Sequence, residues 1–254
     1  MRWSQRLREP EETTMENPIY IALSRQNALR RQMDVVANNV ANMNTTGFKQ
    51  QRVMFTEFLQ RPAMHEQVSM VQDRAVVRDL TAGGTISTGN PLDMALTGPG
   101  YFTVDTAAGR RYTRNGSFRL DGQRQLVDGS GLPVLADNGQ PIVIPQNTTT
   151  VEVKGDGTVT TELGPVGRLN VVTFQREQMM TEVGAGLYVS DEEPQAAPPE
   201  TKVAQGMLEQ SNVKPVLEMT QMIEINRQYQ QAQRMIETES ERIRTVIQRL
   251  GRTV

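Results

Sequence analysis

The chain has 254 residues, 37% of them apolar and 5% aromatic, a composition that fits one or two domains and favours a modest globule with elongated parts over one large core. Lys and Arg number 27 against 29 Asp and Glu, a net charge of −2, without the basic excess of a dedicated nucleic-acid binder. The absence of cysteine excludes disulfides, thiolate zinc sites and cysteine nucleophiles, and no apolar run approaches the roughly 20 residues of a membrane-spanning helix.

Residues 1–14 mix Arg2, Arg6 and Arg8 with Glu9, Glu11 and Glu12 and contain no hydrophobic core, so they do not read as a secretory signal peptide. Asn17-Pro18 then opens a helix, Asn as a good cap and Pro at the first helical position. Beyond it Ile19, Ala22, Gln26, Leu29, Met33, Val36, Val40 and Met43 recur in steps of three and four. That is a heptad seam with Gln26 its only polar member. Thr45-Thr46-Gly47 ends it, with Gly47 suited to a left-handed C-terminal cap. Such a helix would run about 40 Å. A helical terminal segment is therefore expected over 15–60, followed by a polar linker over 61–74 that holds Pro62 and the only histidine, His65.

Between about 75 and 190 the pattern changes to short β-type runs: Leu92–Thr97, Tyr101–Asp105, Gln125–Asp128, Pro141–Ile144, Val151–Lys154, Thr158–Thr161 and Arg168–Phe174. Asn115-Gly116, Asp121-Gly122, Asp128-Gly129, Asn138-Gly139 and Asp156-Gly157 punctuate them, as tight hairpin turns require. Residues 191–204, with Asp191-Glu192-Glu193 beside Pro194, Pro198 and Pro199, read as an exposed connector. A second helical segment is expected over 205–254, with Asn212 as cap and Pro215 in the first turn. Its seam is Met222, Ile225, Tyr229, Ala232, Ile236, Glu239, Ile243, Val246 and Leu250, with Arg227, Arg234, Arg242, Arg244 and Arg249 interleaved with Glu224, Glu237 and Glu241 outside it. The expected fold is α+β: discontinuous N- and C-terminal helices forming a coiled-coil domain, with a central mostly antiparallel β-domain.

A catalytic reading finds little support. His65 has no nearby Cys or second His, and a metal site needs a second strong ligand. Gly98-Pro99-Gly100 and Gly184-Ala185-Gly186 lack the dinucleotide-binding spacing and read as turns. Asp121, Asp128 and Asp156 each precede Gly, where turn chemistry explains them. Arg110, Arg111, Arg114, Arg119 and Arg124 form a local basic cluster, read as a solvated or subunit-contacting face, with an anionic ligand as the sharper alternative. No cofactor, metal or small-molecule substrate is expected.

The seams themselves point to assembly. Ordering some 65 residues costs about 1–2 kcal/mol each in backbone entropy, against about fifteen apolar side chains stabilising by roughly 1.5–3 kcal/mol each when fully buried. A lone two-helix pair is therefore marginal. Ile21, Leu23, Val35, Leu217, Met219, Ile223, Met235 and Ile247 are left over for neighbouring subunits to cover. The expected assembly interface comprises Ile19, Ala22, Leu29, Met33, Val36, Asn38, Asn39, Val40, Asn42 and Met43 on the first helix. On the second it comprises Met219, Met222, Ile225, Tyr229, Ala232, Ile236, Ile243, Val246 and Leu250, with the Asn amides of the first helix placed either to bond neighbouring helices or to line a polar channel or face water.

Several motifs carry a family resemblance. Ala37-Asn38-Asn39-Val40-Ala41-Asn42-Met43-Asn44-Thr45-Thr46-Gly47-Phe48-Lys49 resembles the N-terminal signature of bacterial flagellar rod and hook proteins. Ser211-Asn212-Val213 followed by Glu218-Met219-Thr220-Gln221-Met222-Ile223 is similar to their C-terminal signature. Asn90-Pro91-Leu92-Asp93-Met94-Ala95-Leu96, Gly100-Tyr101-Phe102 and Tyr112-Thr113-Arg114-Asn115-Gly116-Ser117-Phe118 resemble their central segments. The resemblance spans about Met15 to Gly251, in size and opening most like a proximal rod member, and makes Met15 the expected initiator. It implies a structural subunit of the rod through the periplasm, exported by the flagellar type III apparatus without a cleaved signal, with other rod proteins and itself as partners. The near alternative is a distal rod or hook-type axial protein; from other classes come a soluble coiled-coil adaptor with a β-domain and, third, an enzyme such as a β-rich glycosidase using distant carboxylates.

Overall fold

The structure, a computed structural model, describes residues 17–60 and 68–251, with side chains over 21–54 and 75–251. The expectations on residues 1–14, on His65 and on the side chain of Ile19 lie outside these residues. The chain divides into two compact units, one of residues 1–36, 53–76 and 220–254, the other of 37–52 and 77–219. Helix α1 runs Asn17–Ala41 and α2 runs Pro215–Leu250, so each helix contributes residues to both units.

The first unit holds most of both helices. Leu29, Val36, Ile225 and Ala232 form one buried cluster, with Met33, Met222 and Tyr229 packed against it. These positions step three and four along each helix, so each presents one apolar stripe to the other. Strands Gln51–Gln60 and Val68–Arg78 pair as a two-stranded sheet. The expected 61–74 linker is thus β-strand from Val68 onward, and the segment 15–60 is helical only to Ala41. Val68–Arg78 contains Val71, Val76 and Val77, β-branched residues that fit an extended backbone, in a stretch where charge and polarity dominated the reading.

The second unit is the β-domain. Its largest sheet has six strands in the spatial order Thr181–Gly184, Leu187–Val189, Gly109–Thr113, Tyr101–Thr106, Val171–Thr173 and Gln195–Ala196. Every neighbouring pair is antiparallel. A three-stranded antiparallel sheet (Val151–Val153, Thr158–Thr161, Gly164–Arg168) and small two-stranded pairs complete the unit. One core gathers Met94, Leu96, Phe102, Val104, Leu126, Ile142, Ile144 and Val159. A second is aromatic, with Tyr101, Tyr112, Phe174 and Tyr188; Tyr112 and Phe174 meet edge to face at 4.7 Å, an arrangement favoured by the ring quadrupoles.

The Asp-Gly turns behave as turn chemistry predicts. Asp121 Oδ1 accepts from the amides of Gln123 and Gln125, Asp128 Oδ1 from Ser130 and Leu132, and Asp156 Oδ1 from Thr158. Each carboxylate is spent on its own backbone. The segment 191–204 is more than a connector: Gln195–Ala196 edges the large sheet, and Lys202–Gln205 pairs with Met94–Thr97. Pro194, Pro198 and Pro199 flank these strands rather than interrupt them, which is where Pro is tolerated. Pro141–Ile144 makes only isolated bridges, at Pro141 and Val143.

Both helix termini differ from expectation in the same way. Gly47 does adopt φ +70°, yet α1 has already ended at Ala41, and the Gly47 amide donates to the Glu209 carbonyl at 2.8 Å. Asn212 does not cap α2; the first-turn amides of Leu217 and Glu218 donate to the Lys214 carbonyl, with Pro215 as first helical residue. Both residues are claimed by a structure deeper in the second unit.

Candidate functional site

That structure is a buried polar junction. Glu209, on the short strand Met207–Glu209, is 1% exposed. Its Oε1 lies 2.6 Å from Lys49 Nζ and accepts from the Gly83 amide at 3.1 Å. Its Oε2 accepts from Arg114 Nε at 3.0 Å and lies 2.9 Å from Nη2, a charge-assisted contact of the strong kind. Arg114 Nη1 donates to the carbonyls of Gly98 and Gly100, and Lys49 Nζ also to that of Thr81. Gly98-Pro99-Gly100 is therefore a turn that also holds a guanidinium. Burial pushes the Lys49 ammonium below its usual range, against the opposing pull of Glu209, the direction desolvation dictates for a cation.

Around this ion triad lies a shell of amides. Asn39, on α1, is buried; its Nδ2 donates to Glu218 Oε2 at 3.0 Å and to the Gln51 carbonyl at 2.9 Å, and its Oδ1 accepts from the Gln51 amide at 2.8 Å. Glu218, in the first turn of α2, also accepts from Gln50 Nε2 at 2.6 Å. Asn212 Oδ1 accepts from the Gln50 amide at 2.7 Å, while its Nδ2 donates to the carbonyls of Asp79 and Thr81. Asn42 bonds to Asn38, whose side chain is exposed, and to Thr45. The amides assigned to neighbouring helices thus have partners within the chain, and Asn39 reaches α2 of its own chain.

Gly47 shows how close the backbones run here. With φ at +70°, a Cβ on it would come within 2.7 Å of the Arg114 backbone, so the position requires glycine both for conformation and for space. Tyr101, Phe102, Tyr112 and Phe118 of the central motifs fill the cores, while Arg114 of the same motif crosses to the junction.

The other sequence-singled residues divide by burial. Ala22, Leu29, Val36, Ile225 and Ala232 are buried, and so is Val35, which corrects its assignment to a neighbouring subunit. Its burial uses a face of α1 beside the seam, which a strict three-and-four count does not include. Met33, Val40, Asn42, Met43, Met222, Tyr229, Ile236 and Ile243 are half-buried. Met219, Val246 and Leu250 are exposed, together with Ile21, Leu23, Leu217, Ile223, Met235 and Ile247. The arginine cluster disperses: Arg114 is buried, Arg124 bonds to the Ile144 carbonyl and Thr148, and Arg110 and Arg119 are exposed. Sequence reasoning missed Lys49 and Glu209 altogether. The available signal was a lone cation closing the motif Thr45-Thr46-Gly47-Phe48-Lys49, and a lone carboxylate just before Ser211-Asn212-Val213. Among the described residues no three His, Cys, Asp or Glu side chains gather as a metal site, and no helix is long and apolar enough to cross a membrane.

Paired terminal helices that leave apolar residues uncovered, continuous with a β-domain pinned at both of its chain ends, are the organisation of a structural subunit. Comparison with known families agrees. Residues 19–49 match the flagella basal body rod protein family, 95–161 the flagellar hook protein FlgE/F/G D1 domain, and 204–249 the flagellar basal body rod FlgEFG protein C-terminal family. Each matched segment supplies one member of the ion triad: Lys49, Arg114 and Glu209. The chain is 39% identical to the flagellar basal-body rod protein FlgF of Caulobacter vibrioides, covering 94% of this chain and 99% of the relative. It is 32% identical to FlgF of Escherichia coli (87% and 93% covered) and 30% identical to the rod protein FlgG of Bacillus subtilis (92% and 98%). This chain belongs to the flagellar basal-body rod protein family and is a structural, non-enzymatic subunit of the FlgF-like kind.

Proposed function

We propose that this subunit polymerises through its terminal helices, with itself and with sibling rod proteins, into the proximal part of the rod that carries torque through the periplasm. The observation that supports this reading is the apolar surface of α2. Ile223, Ile247 and Leu250 are 62%, 63% and 66% exposed, on a helix whose buried stripe is already occupied by α1. Fully burying such side chains stabilises by roughly 1.5–3 kcal/mol each, and packing against further helices is the direct way to gain it. In the assembly the helices supercoil as heptad strands, the seam running from Ile19 to Val40 and from Met222 to Leu250. Asn39 and Glu218 fasten the two helices of one chain to each other, so that shear is resisted across subunits by apolar packing and within each subunit by polar contacts. The chain reaches the periplasm through the flagellar type III export apparatus without a cleaved signal peptide.

Deletion of the gene followed by electron microscopy of basal bodies tests the reading. Cells lacking the protein should make basal bodies that stop before a complete rod and carry no hook. Complete rods in the deletion strain would refute it.

A further inference from the structure

We propose that the groove beside the polar junction is a binding site for a small oxyanion or carboxylate. The groove encloses about 800 Å³ and is walled by Lys49, Arg114, Tyr101, Arg176, Glu177 and Met179. Two of these cations are deeply buried, Lys49 at 3% and Arg114 at 6% exposure, and they share the single carboxylate of Glu209. Arg176 adds a third cation with no ion-pair partner among the described residues, and Glu177 a second carboxylate, whose Oε2 accepts from the Tyr101 hydroxyl. One positive charge is left in excess.

The surrounding groups do not cancel it. Asp79 lies outside the groove lining and acts on both Arg52 and Lys49. Glu182 faces Arg78, and burial raises its carboxyl above the usual range. Arg78 donates Nη2 to the Glu177 carbonyl, and its buried Nη1 has no partner among the described residues. Lys49 Nζ uses two of its three protons, on Glu209 and Thr81, leaving one donor without a protein acceptor among the described residues. The buried triad alone sets two cations against one carboxylate; uncompensated charge in a low-dielectric site is costly, and an anion entering the groove both neutralises it and fills the remaining donor. Charge-assisted bonds of this kind are the strong ones.

The same chemistry is offered by a free oxyanion or by an acidic side chain of a neighbouring subunit, and two probes separate these sources. The full-length protein is titrated at constant ionic strength with sodium phosphate and, separately, with N-acetylglutamate methylamide, following amide shifts of Gly98, Gly100 and Arg176 by NMR. Saturable shifts with phosphate alone identify a free oxyanion; shifts with the blocked glutamate identify a protein carboxylate. In either case Arg176→Ala, an exposed residue outside the junction, weakens binding about tenfold, as loss of one charge-assisted bond implies. Lys49→Met abolishes binding, and Arg110→Ala leaves it unchanged. Absence of saturation with both probes overturns the proposal, as does binding by Arg176→Ala at wild-type strength, a result that decides even if Lys49→Met fails to fold.

Discussion

The helix pair and the polar junction fasten distant parts of one chain by opposite means. In the helix pair, Leu29, Val36, Ile225 and Ala232 meet through apolar surface alone, an attraction that is non-directional and open to further partners. In the junction, Lys49, Arg114 and Glu209 are held by directed bonds of 2.6 to 3.0 Å. Directed bonds among buried polar groups specify one arrangement. The difference separates two tasks. The junction closes the β-domain on itself, and the helices leave apolar side chains exposed.

Substitutions in the two regions therefore fail differently. The largest effect is expected for Glu209→Ala, which strands two buried cations; removing one partner of a buried ion pair costs about 3–5 kcal/mol. Urea unfolding of the β-domain should show it, and Lys49→Met should cost less because Arg114 keeps its carboxylate. Equal losses would contradict Glu209 as the partner that both cations share. Val36→Asp places an unpaired charge in the helix cluster and should abolish swimming while the β-domain signal still melts within a few degrees of wild type. Normal motility in that strain would remove the seam from the account.

Asn39→Ala sits between these cases, since it frees Glu218 and the Gln51 backbone from one buried amide. About 1–3 kcal/mol is expected for the unsatisfied groups, read as faster amide exchange at Gln51 and in the first turn of α2. Smallest is Thr81→Val. The Thr81 hydroxyl and amide hold the Asp79 carboxyl below its usual range, so Asp79 stabilises the folded state above about pH 4 and this is lost as pH falls through its depressed pKa. Without the hydroxyl, an NMR titration should find Asp79 closer to 3.8, its ordinary value; an unchanged midpoint would assign the shift elsewhere.

How much of this was legible in the sequence depended on the range of the interactions. The helices were readable because Leu29, Val36, Ile225 and Ala232 recur at a local period, and Asp121, Asp128 and Asp156 because their bonds close within four residues. Strands such as Leu187–Val189 and Lys202–Gln205 are short, and their pairing with Tyr112–Thr113 and Met94–Thr97 leaves no local mark. The junction was invisible for the same reason carried further: Glu209 lies 160 positions from Lys49 and 95 from Arg114. A charged residue in a turn-rich motif looks solvated until its partner is known. Gly47 and Asn212 were noticed for local capping roles, and long-range bonds to Glu209, Gln50 and Asp79 took precedence.

The absence of native cysteine permits a direct test of whether the reserve surface on α2 is covered by assembly. Ile247→Cys should react rapidly with a maleimide in the purified protein, as its 63% exposure implies, and become protected in basal bodies isolated from swimming cells that carry the variant. Equal labelling in both states would contradict the claim that the terminal helices are the surfaces through which the rod is built.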